Sequence, residues 1–337
     1  MLITAKKSTL VIVVGLAMLA GAYFAIFAGN MEPPGPPAPT MKTLDDVEPR
    51  IPIRAADLPL TITQPGSYYL VENITTTGGG ISISVASKGS FLDGVTIDLM
   101  GHTLEGGTGS GISGDSGASV VVKDGVVKNW ASTGVALGTN SQVINVRATG
   151  NGNDGIVLSS GSIARGCLAY RNSGNGFRLA NDAIAVNCIA ASNAVDGFFV
   201  SARAILSGCK AEFNTGDGFD SSQSVTGGQQ IFECTADQNL GNGIVVRGES
   251  LIRSNRCARN TGAGILVLAD AFAVRNRIEG NHVIQNSVGI DVDTAGSLII
   301  KNSASGNTID YDIVAGNDVG PIGPAATATS PWANLEF

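Results

Sequence analysis

The chain has 337 residues, of which 45 are glycine and only 5% aromatic, with a net charge of −7 and a pI near 4.9. So few large side chains exclude one globular core of that length, whereas a repeat array escapes the shortage because each unit buries its apolar row only against its neighbours. The acidic balance, with no run of Lys or Arg, lacks the basic stripe that nucleic-acid binding requires.

Residues 1–30 place Lys6 and Lys7 ahead of an apolar run from Thr9 to Ala28, which predicts a signal peptide or an N-terminal membrane anchor. The protein is therefore expected to be secreted or held in the cell envelope, with membrane contact only through this segment if it stays uncleaved. Residues 31–44 carry Pro33, Pro34, Pro36, Pro37 and Pro39 and read as a stiff proline-rich linker. Residues 45–79, with short strands around Pro65-Gly66, suit an N-terminal cap over the first coil.

From residue 80 to 318 the sequence repeats. Its marker glycines fall at 134, 155, 176, 197, 218, 243, 264 and 289, in steps of 21 or 25 residues. One residue after each stand Val135, Ile156, Phe177, Phe198, Phe219, Ile244, Ile265 and Ile290, and two further on stand mostly Leu and Val. The residues between are mixed: Ala136, Val157, Arg178, Phe199, Asp220, Val245, Leu266, Asp291. That in-out-in alternation predicts a strand with one buried face, on which Phe198 is core and loss of Arg178 should be almost silent. Ala148, Ala169, Ala190, Ala211 and Ala236, two residues behind Val146, Cys167, Cys188, Cys209 and Cys234, predict one further strand. Asn151, Asn172, Asn193, Asn214, Asn239 and Asn260 mark the corner, where Asn tolerates left-handed backbone and its amides can bond up a stack. A coil of this length closes on itself one strand spacing higher, ~4.8 Å. The predicted fold is all-β, a single-stranded parallel β-helix of about ten ~21-residue coils with caps at both ends. Residues 319–337 leave the repeat and are expected to cap the last coil with Trp332 and Phe337.

The opening Glu48-Pro-Arg-Ile-Pro-Ile, then Leu60-Thr-Ile-Thr-Gln-Pro-Gly-Ser-Tyr-Tyr-Leu70 and Val95-Thr-Ile-Asp-Leu-Met-Gly-His-Thr-Leu104, followed by Asn-x-x-x-Gly-Ile/Phe repeats, resembles secreted bacterial right-handed parallel β-helix repeat proteins of the pectin-lyase-like class. The resemblance implies the fold and its right hand. It does not imply a reaction, because one fold hosts many chemistries.

Chemistry is expected on the outward columns. Lys210, Glu212, Asp237 and Arg256 should share one outer face, with Glu212 and Asp237 on adjacent coils at a spacing near the ~5 to 5.5 Å of a retaining glycosidase pair. They are the candidate catalytic set, and Tyr170, Phe199 and Asp220 are the candidate glycan-binding residues. The competing reading of the charged set is a solvated, ion-paired strand. Asp154, Asn175, Asp196, Asp217 and Asn242 form an acidic column just before the marker glycine, of a kind that turns prefer and that also offers calcium a ladder of carboxylates. His102 and His282 lie many coils apart, so no residue spacing marks a metal centre, and the stacked cysteines read as buried thiols. Two function classes follow. The first is an exported non-catalytic module, glycan-binding or structural and adhesive, favoured by the short insertions and sparse aromatics. The alternative is a polysaccharide lyase or glycoside hydrolase acting on an extended polysaccharide, acidic or neutral. A polysaccharide or cell-surface glycan is the expected partner in both.

Overall fold

The computed structural model describes residues 50–87, 89–224, 226–269 and 275–337. The expected leader and linker, 1–30 and 31–44, lie outside the described residues.

Each coil is built from three short strands rather than two. In a representative turn, Ile156–Leu158, Ile163–Arg165 and Leu168–Tyr170 follow one another, and Phe177–Leu179 then returns beside Ile156–Leu158 one level up. The first ladder stacks twelve such strands in parallel. Its register runs Val135, Ile156, Phe177, Phe198, Phe219, Ile244, Ile265, Ile290, as the repeat spacing requires. The second ladder has Ala164, Ala185, Leu206, Ile231, Ile252, Ile278 and Ile299 inside, and the third has the alanine column inside. The two fuse where Ala118–Lys128 and Gln142–Thr149 run through both. The second ladder was missed because its buried column mixes Ala with Leu and Ile and gives weak contrast. The column Cys167, Cys188, Cys209 and Cys234 sits at the bend between the second and third ladders, Cys257 lies in the alanine column of the third, and all five thiols are free and buried.

Twelve coils replace the expected ten because the array begins earlier. Leu60–Ile62 pairs with Ile81–Ile83 and Gly66–Leu70 with Val95–Asp98, so the segment expected only as a cap already forms a coil. Ile53, Ile62 and Leu70 are buried there without the marker glycine that would have betrayed the repeat. At the other end the tail adds strands: Asp318–Val319 pairs with Leu298–Ile299, and Asn334–Glu336 lies beside Ser303–Ser305. Trp332, with the Lys301 ammonium 4.6 Å from its ring centre, and Phe337 remain 51% and 70% exposed. Tyr311, in the last strand of the first ladder, packs against the core there, its hydroxyl 3.1 and 3.0 Å from the carbonyl oxygens of Asn302 and Leu335.

Interior stacks of like side chains hold the coils in register. The Phe177, Phe198 and Phe219 rings lie nearly parallel with centroids 4.7 and 5.0 Å apart. At the corner, each buried Asn side chain donates to the next: Asn151 to Asn172 at 2.9 Å, Asn172 to Asn193 at 3.0 Å, Asn193 to Asn214 at 3.0 Å. The left-handed residue is the one just before the asparagine, as at Arg171, Ser192 and Phe213, contrary to the expectation for Asn itself. The asparagine is there for its amide. The marker glycine is required by close approach: a Cβ on Gly155 would stand 2.7 Å from both the Asn172 amide nitrogen and the Gly176 carbonyl oxygen.

Candidate functional site

The predicted site residues stand on two outer faces, those of the third and first ladders. On the third ladder, Lys210–Glu212 pairs with Thr235–Asp237 and that with Arg256–Ala258, which sets Glu212 beside Asp237. The four predicted residues do share this face, but their carboxylates are not a crowded pair. Lys210 Nζ lies 2.6 Å from Glu212 Oε2. Asp237 takes Arg259 across both oxygens, with Nε 3.0 Å from Oδ1, and Arg256 Nη1 approaches at 3.6 Å. Every acid here has a cation against it, which is the ion-paired arrangement. Tyr170 stands on the same face, two coils below Glu212, with the Arg171 guanidinium 4.8 Å from its ring centre.

The predicted binding trio is therefore split, because Phe199 and Asp220 point outward from the first ladder. There they follow Arg178 in register. Arg178 lies over the Phe199 ring at 5.0 Å and its Nε is 2.8 Å from Asp154 Oδ2. Beside this row rises the acidic column at the turn. Asn175 N–H donates to Asp154 at 2.7 Å, Asp196 N–H to Asn175 at 3.1 Å, Asp217 N–H to Asp196 at 2.8 Å and Asn242 N–H to Asp217 at 2.5 Å. Each carboxylate or amide thus caps the backbone of the coil above, which explains the unbroken run of Asp and Asn from Asp154 to Asn242 in this column.

That column and the strand row meet at Asp196, Asp217 and Asp220, whose carboxylate oxygens lie within 4.8 Å of one another. Asp196 is 9% and Asp220 7% exposed. Burial pushes the Asp196 carboxyl up to about 6; the Asp220 and Asp217 charges add to this, while the Asp217 N–H and Arg178 oppose it. Burial, then the charge of Asp220, also raises Asp217 against its bonds from Asn242. Three acids this close relieve their repulsion by holding a proton or a hard cation. Sequence reading saw both columns separately. The signal that joins them is Asp217-Gly-Phe-Asp220, where a turn acid and an outward strand acid stand three residues apart.

The profile described as "Right handed beta helix region" matches residues 79–227 and 223–309. The chain belongs to this family. Direct comparison with curated protein sequences finds no match. Among solved structures, the β-helix is similar to the A-module of Azotobacter vinelandii mannuronan C-5 epimerase AlgE4, at 17% identity and a TM-score of 0.55, covering 81% of this chain and 91% of that one. The AlgE6 A-module of the same organism aligns over the same shares at 15% identity and a TM-score of 0.53. At such identity the likeness is one of fold. Among the described residues no helix is long and apolar enough to cross a membrane.

Proposed function

We propose that this β-helix is an exported protein acting on an extended acidic polysaccharide, with its reacting centre on the outer face of the first ladder. The observation that carries the reading is the carboxylate triad Asp196, Asp217 and Asp220 beside the Phe199 ring. Asp196, held near 6, exchanges a proton close to neutral pH and is the candidate general acid or base. Phe199 offers an aromatic surface for a sugar ring. Asp217 and Asp220 are hard oxygen donors suited to calcium, which when bound would offset the repulsion between an acidic face and an acidic sugar. Both similar folds named above are mannuronan epimerases, which supports a polyuronate as the first substrate class to try. Lys210, Glu212, Asp237 and Arg256 stand as the alternative catalytic set, weakened by their mutual ion pairing.

The second reading is a non-catalytic glycan-binding or adhesive module. It is favoured by the structural employment of the same acids, since Asp196 and Asp217 cap backbone N–H groups and Asp220 accepts from Ser222. The test is to incubate the protein with polymannuronate, polygalacturonate and neutral glucans, with calcium or a chelator, following unsaturated products, reducing ends and proton exchange at the sugar. Turnover that falls about a hundredfold or more in Asp196→Asn and persists in Glu212→Gln is the expected result. Binding without turnover favours the module. Turnover lost only in Glu212→Gln would move the centre to the third ladder.

A further inference from the structure

The charge of this acidic protein is not spread evenly around the tube. On the outer face of the third ladder and the turn that follows it, between Arg147 and Arg259, stand Arg147, Arg171, Lys210, Arg256 and Arg259. These five cations face only two carboxylates, Glu212 and Asp237, an excess of three positive charges in a chain of net −7. The first-ladder face has the opposite bias, with Asp220, Asp291 and Asp312 in its outward row. Salt screens charges over about 8 Å at physiological strength, so an anion at one face responds to that face rather than to the net charge.

The cations are also arranged for an extended ligand. Arg147, Leu168, Ile189, Lys210, Thr235 and Arg256 occupy one register column along the tube axis, so its three cations span five coil steps, ~24 Å. Arg147 and Arg171 are exposed and have no carboxylate partner among the described residues. Between the cations lies a flat apolar floor of Leu168, Ile189 and Ala191 with the Tyr170 ring at its edge, and Ile189 is 39% exposed. A chain that meets this surface needs negative charges along its length and apolar faces between them. Polysaccharides bearing carboxylates offer both, through their acid groups and the C–H faces of their rings.

We propose that the outer face of the third ladder is a second binding strip, separate from the acidic triad, that anchors an anionic polysaccharide strand along the tube axis through Arg147, Arg171, Lys210 and Arg256 with Tyr170 as its stacking platform. The strip is independent of whether the triad reacts. Isothermal titration of the full chain with polygalacturonate, dextran and poly-L-glutamate tests it, alongside an Arg147→Gln/Arg171→Gln variant and, separately, Tyr170→Ala. These side chains are exposed or half-buried, and unchanged thermal unfolding confirms that the variants fold. Polygalacturonate is expected to bind, to weaken about tenfold or more with added salt and in the double Arg variant, and to weaken in Tyr170→Ala, with no binding of dextran. Absence of polygalacturonate binding, or binding that the Arg variant leaves intact, overturns the strip. Poly-L-glutamate binding as tightly as polygalacturonate overturns its saccharide character.

Discussion

The outer faces of the first and third ladders both stack acids on adjacent coils, and they resolve the resulting repulsion differently. On the third ladder, Glu212 and Asp237 sit side by side, yet Lys210, Arg256 and Arg259 come from the same strands and turns to neutralise them. On the first, Asp196, Asp217 and Asp220 converge while Arg178 is spent on Asp154. Register alone brings carboxylates together at ~4.8 Å everywhere in a parallel ladder. Whether a cation stands within reach then decides between acids neutralised in pairs and acids left facing one another.

Both faces stand on one core, so the largest effect should strike them alike. Phe198 is fully buried between Phe177 and Phe219, whereas its neighbour Phe199 points outward. Phe198→Ala should cost about 3–5 kcal/mol in denaturant unfolding, and Phe199→Ala less than about 1 kcal/mol. Equal costs for the two would mean that the inner and outer columns are misassigned, and the contrast between faces would go with them.

A smaller effect separates the faces by pH. Asp196 titrates near 6 in the folded chain and near the ordinary carboxylate value when unfolded, so the folded state binds the extra proton across roughly pH 4 to 6. The stabilisation from that proton is present at the acid end of the window and is lost as pH rises through 6. Moving from neutral pH to about 5 should therefore stabilise the wild type, relative to Asp196→Asn, by about 1 kcal/mol. Glu105 and Glu279 have the opposite sign: hydrogen bonds from Lys128 and from Arg277 hold them below the usual range, and their contribution is lost only at lower pH. Parallel stability–pH curves for the wild type and Asp196→Asn would remove the case for a raised acid.

Much of the tube was legible because a parallel ladder writes its register into the sequence. Phe177, Phe198 and Phe219 recur at 21 residues, and the structure stacks them in that order. The asparagine column declared its own hydrogen bonds. The second ladder was illegible because Ala164 and Ala185 bury too little to stand out, and the first coil because Leu60–Ile62 joins the array without a marker glycine. For the site, the sequence placed Glu212 and Asp237 in neighbouring coils correctly but could not show Arg259 reaching back to Asp237. It likewise kept Tyr170 with Phe199 and Asp220, because columns give height along the tube and not the direction in which a third face turns. The meeting of Asp196 and Asp217 with Asp220 needed that angle.

The smallest effect tests whether a lost cation matters in proportion to the burial of its acid. Arg178 was expected to be silent, yet the side chain of the acid it holds, Asp154, is only 3% exposed, against 22% for Glu212 beneath Lys210. Removing Arg178 leaves a buried carboxylate with only the Asn175 N–H and amide for compensation. Arg178→Ala should cost about 1–2 kcal/mol and Lys210→Ala less than about 0.5 kcal/mol. The cause is isolated by repeating Arg178→Ala in an Asp154→Asn background, where the uncharged amide keeps its acceptor oxygen but no longer needs a cation. The cost should then shrink to a few tenths of a kcal/mol, about that of an exposed side chain. An undiminished cost would assign Arg178 to packing over Phe199 instead, and the two faces would differ in shape rather than in how they balance charge.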